Sequence, residues 1–285
     1  MTTPSELLKK YNVRPRKRLG QSFLVDGNVI GKIVRAADIR SGDTVVEIGA
    51  GIGFMTALLA ERARRLTAIE LDPDLVKVLR EELRGCGNIE IVEGDILKYD
   101  FSRARSGGPS DGAVKLKVIG NIPYNISTEV LFRLIDCRNM ISAAVLMFQK
   151  EVGERITARP GTKQYGVLSV LAGMFLLPTR VMTVPRTCFF PVPDVDSVVL
   201  KLEVRNKPLV PLSDEGFFFQ VVRTAFSKRR KTLYNNLKMM TAAVPAAELL
   251  EGIGIDPGRR GETLSIEEFG KLANAIKTEV EKLRG

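Results

Sequence analysis

The chain contains no histidine, which excludes histidine-based general bases, imidazole-dependent triads and nearly all zinc sites. Its three cysteines, Cys86, Cys137 and Cys188, have no metal-ligand spacing and form no even set for a disulfide framework. They read as small buried hydrophobes in a reducing cytoplasm, and no metal site is expected. No apolar run of about 18 residues and no signal peptide occurs, so no membrane association is expected. The chain also lacks G-x-G-x-x-G and G-x-x-x-x-G-K-[ST], which disfavours a pyrophosphate ligand. No internal repeat is evident. What remains is a basic chain of 285 residues with a formal net charge of +10 and a pI near 9.6. That length suits one large core or two unequal domains, and that charge favours an anionic partner.

The hydrophobic pattern alternates between two periods. Runs at 44–49, 66–71, 89–93, 115–120 and 141–147 read as strands, and 54–64, 74–84 and 127–136 between them read as helices. Such alternation predicts a doubly wound parallel sheet with its site at the carboxyl ends of the strands. Residues 28–37 have helical spacing, and 9–24 read as a basic loop. Residues 103–113, rich in Gly and Ser, read as a tolerated insertion. After helical stretches near 149–159 and 166–176, residues 180–185 and 197–204 read as a closing hairpin. Pro208 and Pro211 mark a boundary, and from Asp214 onward the pattern is helical. The expected domains are therefore 1–207, catalytic with a basic N-terminal segment, and 208–285, a small helical domain for RNA recognition.

Three segments carry chemistry. The first is Asn121-Ile122-Pro123-Tyr124, directly after the apolar end of a strand. It sets an amide oxygen, a main-chain carbonyl and a flat ring close together, a set suited to an exocyclic amine on a nucleobase. An adenine N6 lone pair is delocalised into its ring. The amine becomes nucleophilic once acceptors such as Asn121 Oδ1 and the Ile122 carbonyl hold its hydrogens and Tyr124 stacks on the extruded base. The second segment is Glu47-Ile48-Gly49-Ala50-Gly51-Ile52-Gly53, where glycines let the backbone turn sharply and approach a ligand. About 20 residues on, Glu70 ends the next strand, placed to take both ribose hydroxyls. Asp95 follows a third strand, placed for an adenine amino group, with Ile96 against the ring face. A glycine turn, a ribose acid and an adenine acid at successive strand ends read as an S-adenosylmethionine site. The third segment, Phe189-Phe190-Pro191-Val192-Pro193, is stiffened by its prolines. Phe189 is expected to sandwich the target adenine with Tyr124, at about 1–3 kcal/mol per stack. Phe190 is expected to be the core member, because strand alternation points it the other way.

Taken with Gln21-Ser22-Phe23-Leu24, Asn125-Ile126-Ser127-Thr128, Asp194-Val195-Asp196-Ser197 and Arg229-Arg230-Lys231-Thr232-Leu233, these segments resemble the signatures of KsgA-type small-subunit rRNA adenine N6,N6-dimethyltransferases. The resemblance runs from about residue 15 to 275. It implies a Rossmann-like class I S-adenosylmethionine-dependent methyltransferase sheet with a small C-terminal helical domain. It also implies transfer of two methyl groups to N6 of each of two adjacent adenosines near the 3′ end of small-subunit rRNA, during ribosome biogenesis. By position, Gln21, Ser22 and Leu24 are expected over the cofactor, Gly49 and Gly51 against it, Glu70 at its ribose and Asp95 at its adenine. Leu71 and Ile96 line the same site, and Asn121 contacts the amine. Lys17, Arg18, Lys228, Arg229, Arg230 and Lys231 are expected to bind RNA, with the chain a cytoplasmic monomer. Three positions depart from the family pattern: Ser22 replaces Asn, Ala50 replaces Pro, and Asp194 replaces Lys. Two alternatives stay open, a large-subunit rRNA adenine methyltransferase of the macrolide-resistance type and a non-catalytic RNA-binding factor on the same fold. The segments at 229–237 and 261–265 favour the small-subunit type, and the intact acids and Asn121 favour catalysis.

Overall fold

The computed structural model describes residues 4–16, 19–105, 115–241 and 245–282. The chain forms two compact units, Met1–Gly153 with Thr179–Val204, and Glu154–Pro178 with Arg205–Gly285. In the first unit, strands β2 (Thr44–Ile48), β3 (Arg65–Glu70), β4 (Ile89–Glu93), β5 (Leu116–Asn121) and β6 (Ile141–Gln149) alternate with helices, as the two periods predict. The helices are α2 (Gly27–Ala36), α3 (Phe54–Ala60), α4 (Pro73–Glu82) and α5 (Ser127–Asp136), and a short α6 (Lys150–Ile156) follows β6. Asp26 and Asp72 cap α2 and α4, each accepting from main-chain N–H groups of the first turn.

The seven-stranded sheet has the order β4-β3-β2-β5-β6-β9-β7, with β7 at Leu176–Val184 and β9 at Ser197–Val204. The first five strands are parallel, and β9 runs antiparallel to β6. Every residue of β2 is buried. This is expected of a central parallel strand covered on both faces, and it makes Glu47 the one charged residue of this buried strand. The winding direction reverses between β2 and β5, which opens a crevice at their carboxyl ends. Close approach of these strands requires Gly120, because a Cβ there would lie 2.6 Å from the Ile48 carbonyl oxygen.

Two short elements lie before the first expected helix. Helix α1 (Pro4–Lys10) and the two-residue strand β1 (Phe23–Leu24) fall within or before the 9–24 segment. β1 pairs antiparallel with β8 (Phe189–Phe190). A two-residue strand has too few positions to show a period, so only its partner reveals it.

The second unit is helical but discontinuous. Besides α8 (Glu215–Ala225), α9 (Leu233–Leu237), α10 (Ala246–Gly252) and α11 (Ile266–Lys282), it contains α7 (Val167–Phe175). The sequence pattern sets the break at 207/208; the second unit resumes at Arg205 and also takes in residues 154–178, which include α7 and the first residues of β7. Helix α7 is buried from Leu168 through Phe175, and a helix apolar all round needs helices around it. Phe175 stacks on Phe219 at 5.8 Å and meets Phe218 edge-on at 6.2 Å.

Candidate active site

A cleft lies at the carboxyl ends of β2, β3 and β5, where open α/β sheets bind their ligands. Its wall includes Gln21, Ser22, Gly49, Gly51, Glu70, Leu71, Asp95, Ile96, Asn121, Ile122, Pro123 and Tyr124. Thus segments far apart in the chain converge on one space.

The glycine loop forms the floor. Gly49, Gly51 and Gly53 have φ of 71°, 60° and 88°, left-handed values that glycine adopts without strain. The amides of Gly49 and Ala50 both donate to the Ile69 carbonyl, at 2.9 and 3.2 Å. Glu70 is nearly buried. Its Oε2 accepts from Gly51 N at 2.9 Å, and its Oε1 accepts from Leu71 N and Asp72 N, both at 2.9 Å. Burial pushes its carboxyl up from the ordinary value, the three main-chain donors oppose that, and the Asp72 charge adds to the rise. Asp95 ends the loop after β4 and caps the following turn, its Oδ1 accepting from Leu97 N at 2.9 Å. Oδ2 takes no part in the cap, so capping and ligand contact are compatible roles for this one carboxylate.

At the end of β5, Asn121 Nδ2 donates to the Ser22 carbonyl at 3.0 Å, which leaves Oδ1 as the acceptor end of the amide. Pro123 and Tyr124 turn the chain into α5, with Ile126 N bonded to the Pro123 carbonyl at 3.1 Å. The Tyr124 hydroxyl and the buried Ser197 Oγ are 2.6 Å apart, so the ring is held at its far end.

The N-terminal segment is tied across this site. Gln21 Nε2 donates to Asp72 Oδ2 at 2.8 Å, while its Oε1 accepts from Arg16 N at 2.7 Å. Arg16 pairs with Asp72 at 3.0 Å and also with Asp74, and Lys10 pairs with Glu82 at 2.6 Å. Part of the N-terminal basic cluster therefore holds the segment to α4. Lys17 and Arg18 lie outside the described residues.

Two expected residues are placed elsewhere. Leu24 is buried in the core with Ile33, Val145 and Val199 and does not line the cleft. Phe189 belongs to that same core and is 2% exposed, whereas Phe190 is 50% exposed. The expected orientation of the pair is reversed. Alternation requires that the two point oppositely but does not say which points inward. The register decides: Phe189 is opposite Leu24, and opposite residues of an antiparallel pair share a face. Ser22 lines the cleft, and its Oγ donates to the Pro191 carbonyl at 2.7 Å while its own carbonyl accepts from Asn121 Nδ2. Glu47 heads the glycine-loop motif, and the motif alone assigns it no role. It is fully buried, and burial pushes its carboxyl up to about 8, opposed by the Thr56 hydroxyl and aided by the Glu70 charge. A lone acid in an apolar strand is the sequence signal for it.

Lys228, Arg229, Arg230 and Lys231 are all exposed, between α8 and α9. Arg229 donates to the Lys163 carbonyl.

A family model described as ribosomal RNA adenine dimethylase matches residues 12–278. The chain belongs to this family. It is 48% identical over 275 residues to ribosomal RNA small subunit methyltransferase A of Moorella thermoacetica, covering 95% of this chain and 96% of the relative. To the protein of the same description from Syntrophus aciditrophicus it is 44% identical over 280 residues, covering 97% and 99%. Among solved structures, a dimethyladenosine transferase from Plasmodium falciparum superposes with a TM-score of 0.79 at 28% identity, covering 90% of this chain and 98% of that one. The 23S rRNA methyltransferase ErmE superposes with a TM-score of 0.66 at 28% identity, covering 90% and 99%. The first unit accordingly has the class I methyltransferase fold, and the chain is an rRNA methyltransferase.

Proposed function

We propose that this chain transfers methyl groups from S-adenosylmethionine to N6 of two adjacent adenosines near the 3′ end of small-subunit (16S) rRNA, acting as a cytoplasmic monomer during ribosome biogenesis. The observation that supports this most is that a single cleft joins the Asn121-to-Tyr124 turn to the glycine loop, to Glu70 at the end of β3 and to Asp95 after β4. The residues fit the cofactor. The loop glycines leave no side chain over the floor, and the left-handed φ of 60° at Gly51 would strain any side chain placed there. The cofactor supplies a methyl group on a positively charged sulfur.

The chain's residues bind and orient. A carboxylate has about four lone-pair sites, and Glu70 spends three on Gly51, Leu71 and Asp72. With these bonds kept it accepts from one ribose hydroxyl rather than both. Asp95 takes the adenine amino group, with Leu71 and Ile96 on the ring. Asn121 Oδ1 and the Ile122 carbonyl accept the two N6 hydrogens, which concentrates the lone pair on nitrogen, and Tyr124 stacks on the flipped base. The departing proton goes to solvent, so positioning rather than a strong base carries the rate. A dimethylated amine has no N6 hydrogen left to donate, which favours its release. The exposed basic run at 228–231 contacts rRNA phosphates.

The test is incubation of the protein and labelled cofactor with unmethylated small subunits and, separately, with large-subunit RNA, followed by nucleoside analysis. Dimethyladenosine at two neighbouring positions near the 3′ end of the small-subunit RNA is expected. A modified large-subunit adenosine would instead assign the macrolide-resistance type, and no product would leave the non-catalytic reading.

A further inference from the structure

Phe190 is exposed on a strand pair whose other strand borders the cleft, and it has no role in the chemistry above. Its strand partner fixes where it is. Phe190 lies opposite Phe23 in the β1·β8 pair, and opposite residues share a face with Cβ atoms about 4.5–5.5 Å apart. Phe23 lines the cleft. Yet Phe23 is buried while Phe190 is 50% exposed, and Val192 and Val195 in the loop after it are exposed as well.

That loop is anchored at both ends to residues of the cleft wall. At its start the Pro191 carbonyl accepts from Ser22 Oγ at 2.7 Å, and at its end Ser197 Oγ meets the Tyr124 hydroxyl at 2.6 Å. Between them, Asp196 accepts from Arg186 N at 3.0 Å through Oδ1 and from Lys150 N at 3.0 Å through its carbonyl. An aromatic ring on a tethered loop, beside the cleft and open to solvent, loses little conformational freedom when a flat ligand covers it.

We propose that Phe190 is a stacking platform for the nucleotide next to the adenosine held in the cleft, an unpaired base of the substrate RNA. This rests on the proposed reading of the cleft. Extruding one adenosine removes a stacking partner from its neighbour, and base-aromatic stacking is tolerant of base identity. An aromatic face beside the cleft replaces the missing partner. For two adjacent adenosines the same ring serves both rounds, since either base leaves the other, or its outer neighbour, beside the cleft. Phe190 thus contributes to substrate positioning, while Asn121 and Tyr124 hold the reacting base.

The experiment compares the full chain with Phe190→Ala, Phe190→Leu and Phe190→Trp on unmethylated small subunits. Substrate KM is measured together with cofactor Kd by calorimetry. A parallel set of reconstituted subunits carries 2-aminopurine, whose fluorescence is quenched by stacking, in place of one of the two adenosines. Phe190→Ala and Phe190→Leu are expected to raise KM by about 5- to 150-fold and to give brighter complexes than the wild type. Phe190→Trp restores both readouts, and cofactor Kd is unchanged throughout. Wild-type KM and quenching in Phe190→Leu would overturn the inference in favour of plain apolar packing, as would an unchanged Phe190→Ala. If the wild-type chain itself forms no dimethyladenosine, it is the reading of the cleft that fails, so the two failures are distinguishable.

Discussion

Asn121 is held by its amide nitrogen, through the Ser22 carbonyl, so its oxygen is available to a substrate amine without reorganisation. Asn121→Ala should lower single-turnover rates by about 10²–10³ and leave cofactor affinity near wild type in calorimetry. A near-normal rate would remove the proposed role. Glu70→Ala differs in kind, because the side chain serves Gly51, Leu71 and Asp72 as well as the ligand. It should raise cofactor Kd and also lower cofactor-free stability by about 1–3 kcal/mol or more, the cost of one or more buried donors left unpaired. Thermal melting with and without cofactor separates the two effects. Glu47 gives a pH signature. Its folded value of about 8 lies above the ordinary 4.5, so across that window the folded chain holds a proton that the unfolded chain has released. Its contribution to stability therefore falls as pH rises, by up to about 1.4 kcal/mol per pH unit. Glu47→Gln has no such proton, so denaturant titrations from pH 5 to 8 should show the variant gaining on the wild type as pH rises. Parallel curves would mean that Glu47 is ionised in the fold.

At the scale of elements, the cleft depends on how close β2 and β5 come at their carboxyl ends. Gly120 permits that approach, and Gly120→Ala places a methyl group 2.6 Å from a main-chain oxygen that cannot rotate away. We expect destabilisation by about 1–3 kcal/mol, measured by urea titration, together with weaker cofactor binding, since Asn121 ends β5 and Gly49 directly follows β2. Unchanged stability would show that the strands separate at no cost. The β1·β8 pair is the second such element. It has only two residues on each side, yet it orients Phe189 to the core and Phe190 to solvent, and it brings Ser22 beside Pro191 and Asn121.

Over the whole molecule, the net charge of +10 is not spread evenly in purpose. Arg16 and Lys10 are engaged with acids beside α4, while the run at 228–231 is exposed. Its surroundings are built for presentation: Thr232 caps α9 and Leu233 is buried behind it. Replacing Arg229, Arg230 and Lys231 together by Ala should weaken binding to small subunits. The salt slope should fall by up to about 0.7–0.9 for each phosphate that is no longer neutralised, with cofactor Kd unchanged. An unchanged slope with lower stability would make these residues structural, and the Arg229 bond to the Lys163 carbonyl is the interaction that would then matter.

The sequence by itself determined the alternating sheet, the glycine loop, the acids at successive strand ends and the Asn-Ile-Pro-Tyr turn. Each of these is written in local periodicity or in a turn chemistry that few residue types satisfy. Tertiary structure alone decided what depends on distant partners. The direction of Phe189 and Phe190 follows from pairing with Phe23 and Leu24, since a period of two sets parity but not sign. The placement of residues 154–178 with the helices follows from what surrounds an all-apolar helix, not from chain order. The work of Ser22 follows from meeting Pro191 and Asn121, residues far from it in the chain and brought to it only by the closing of the sheet.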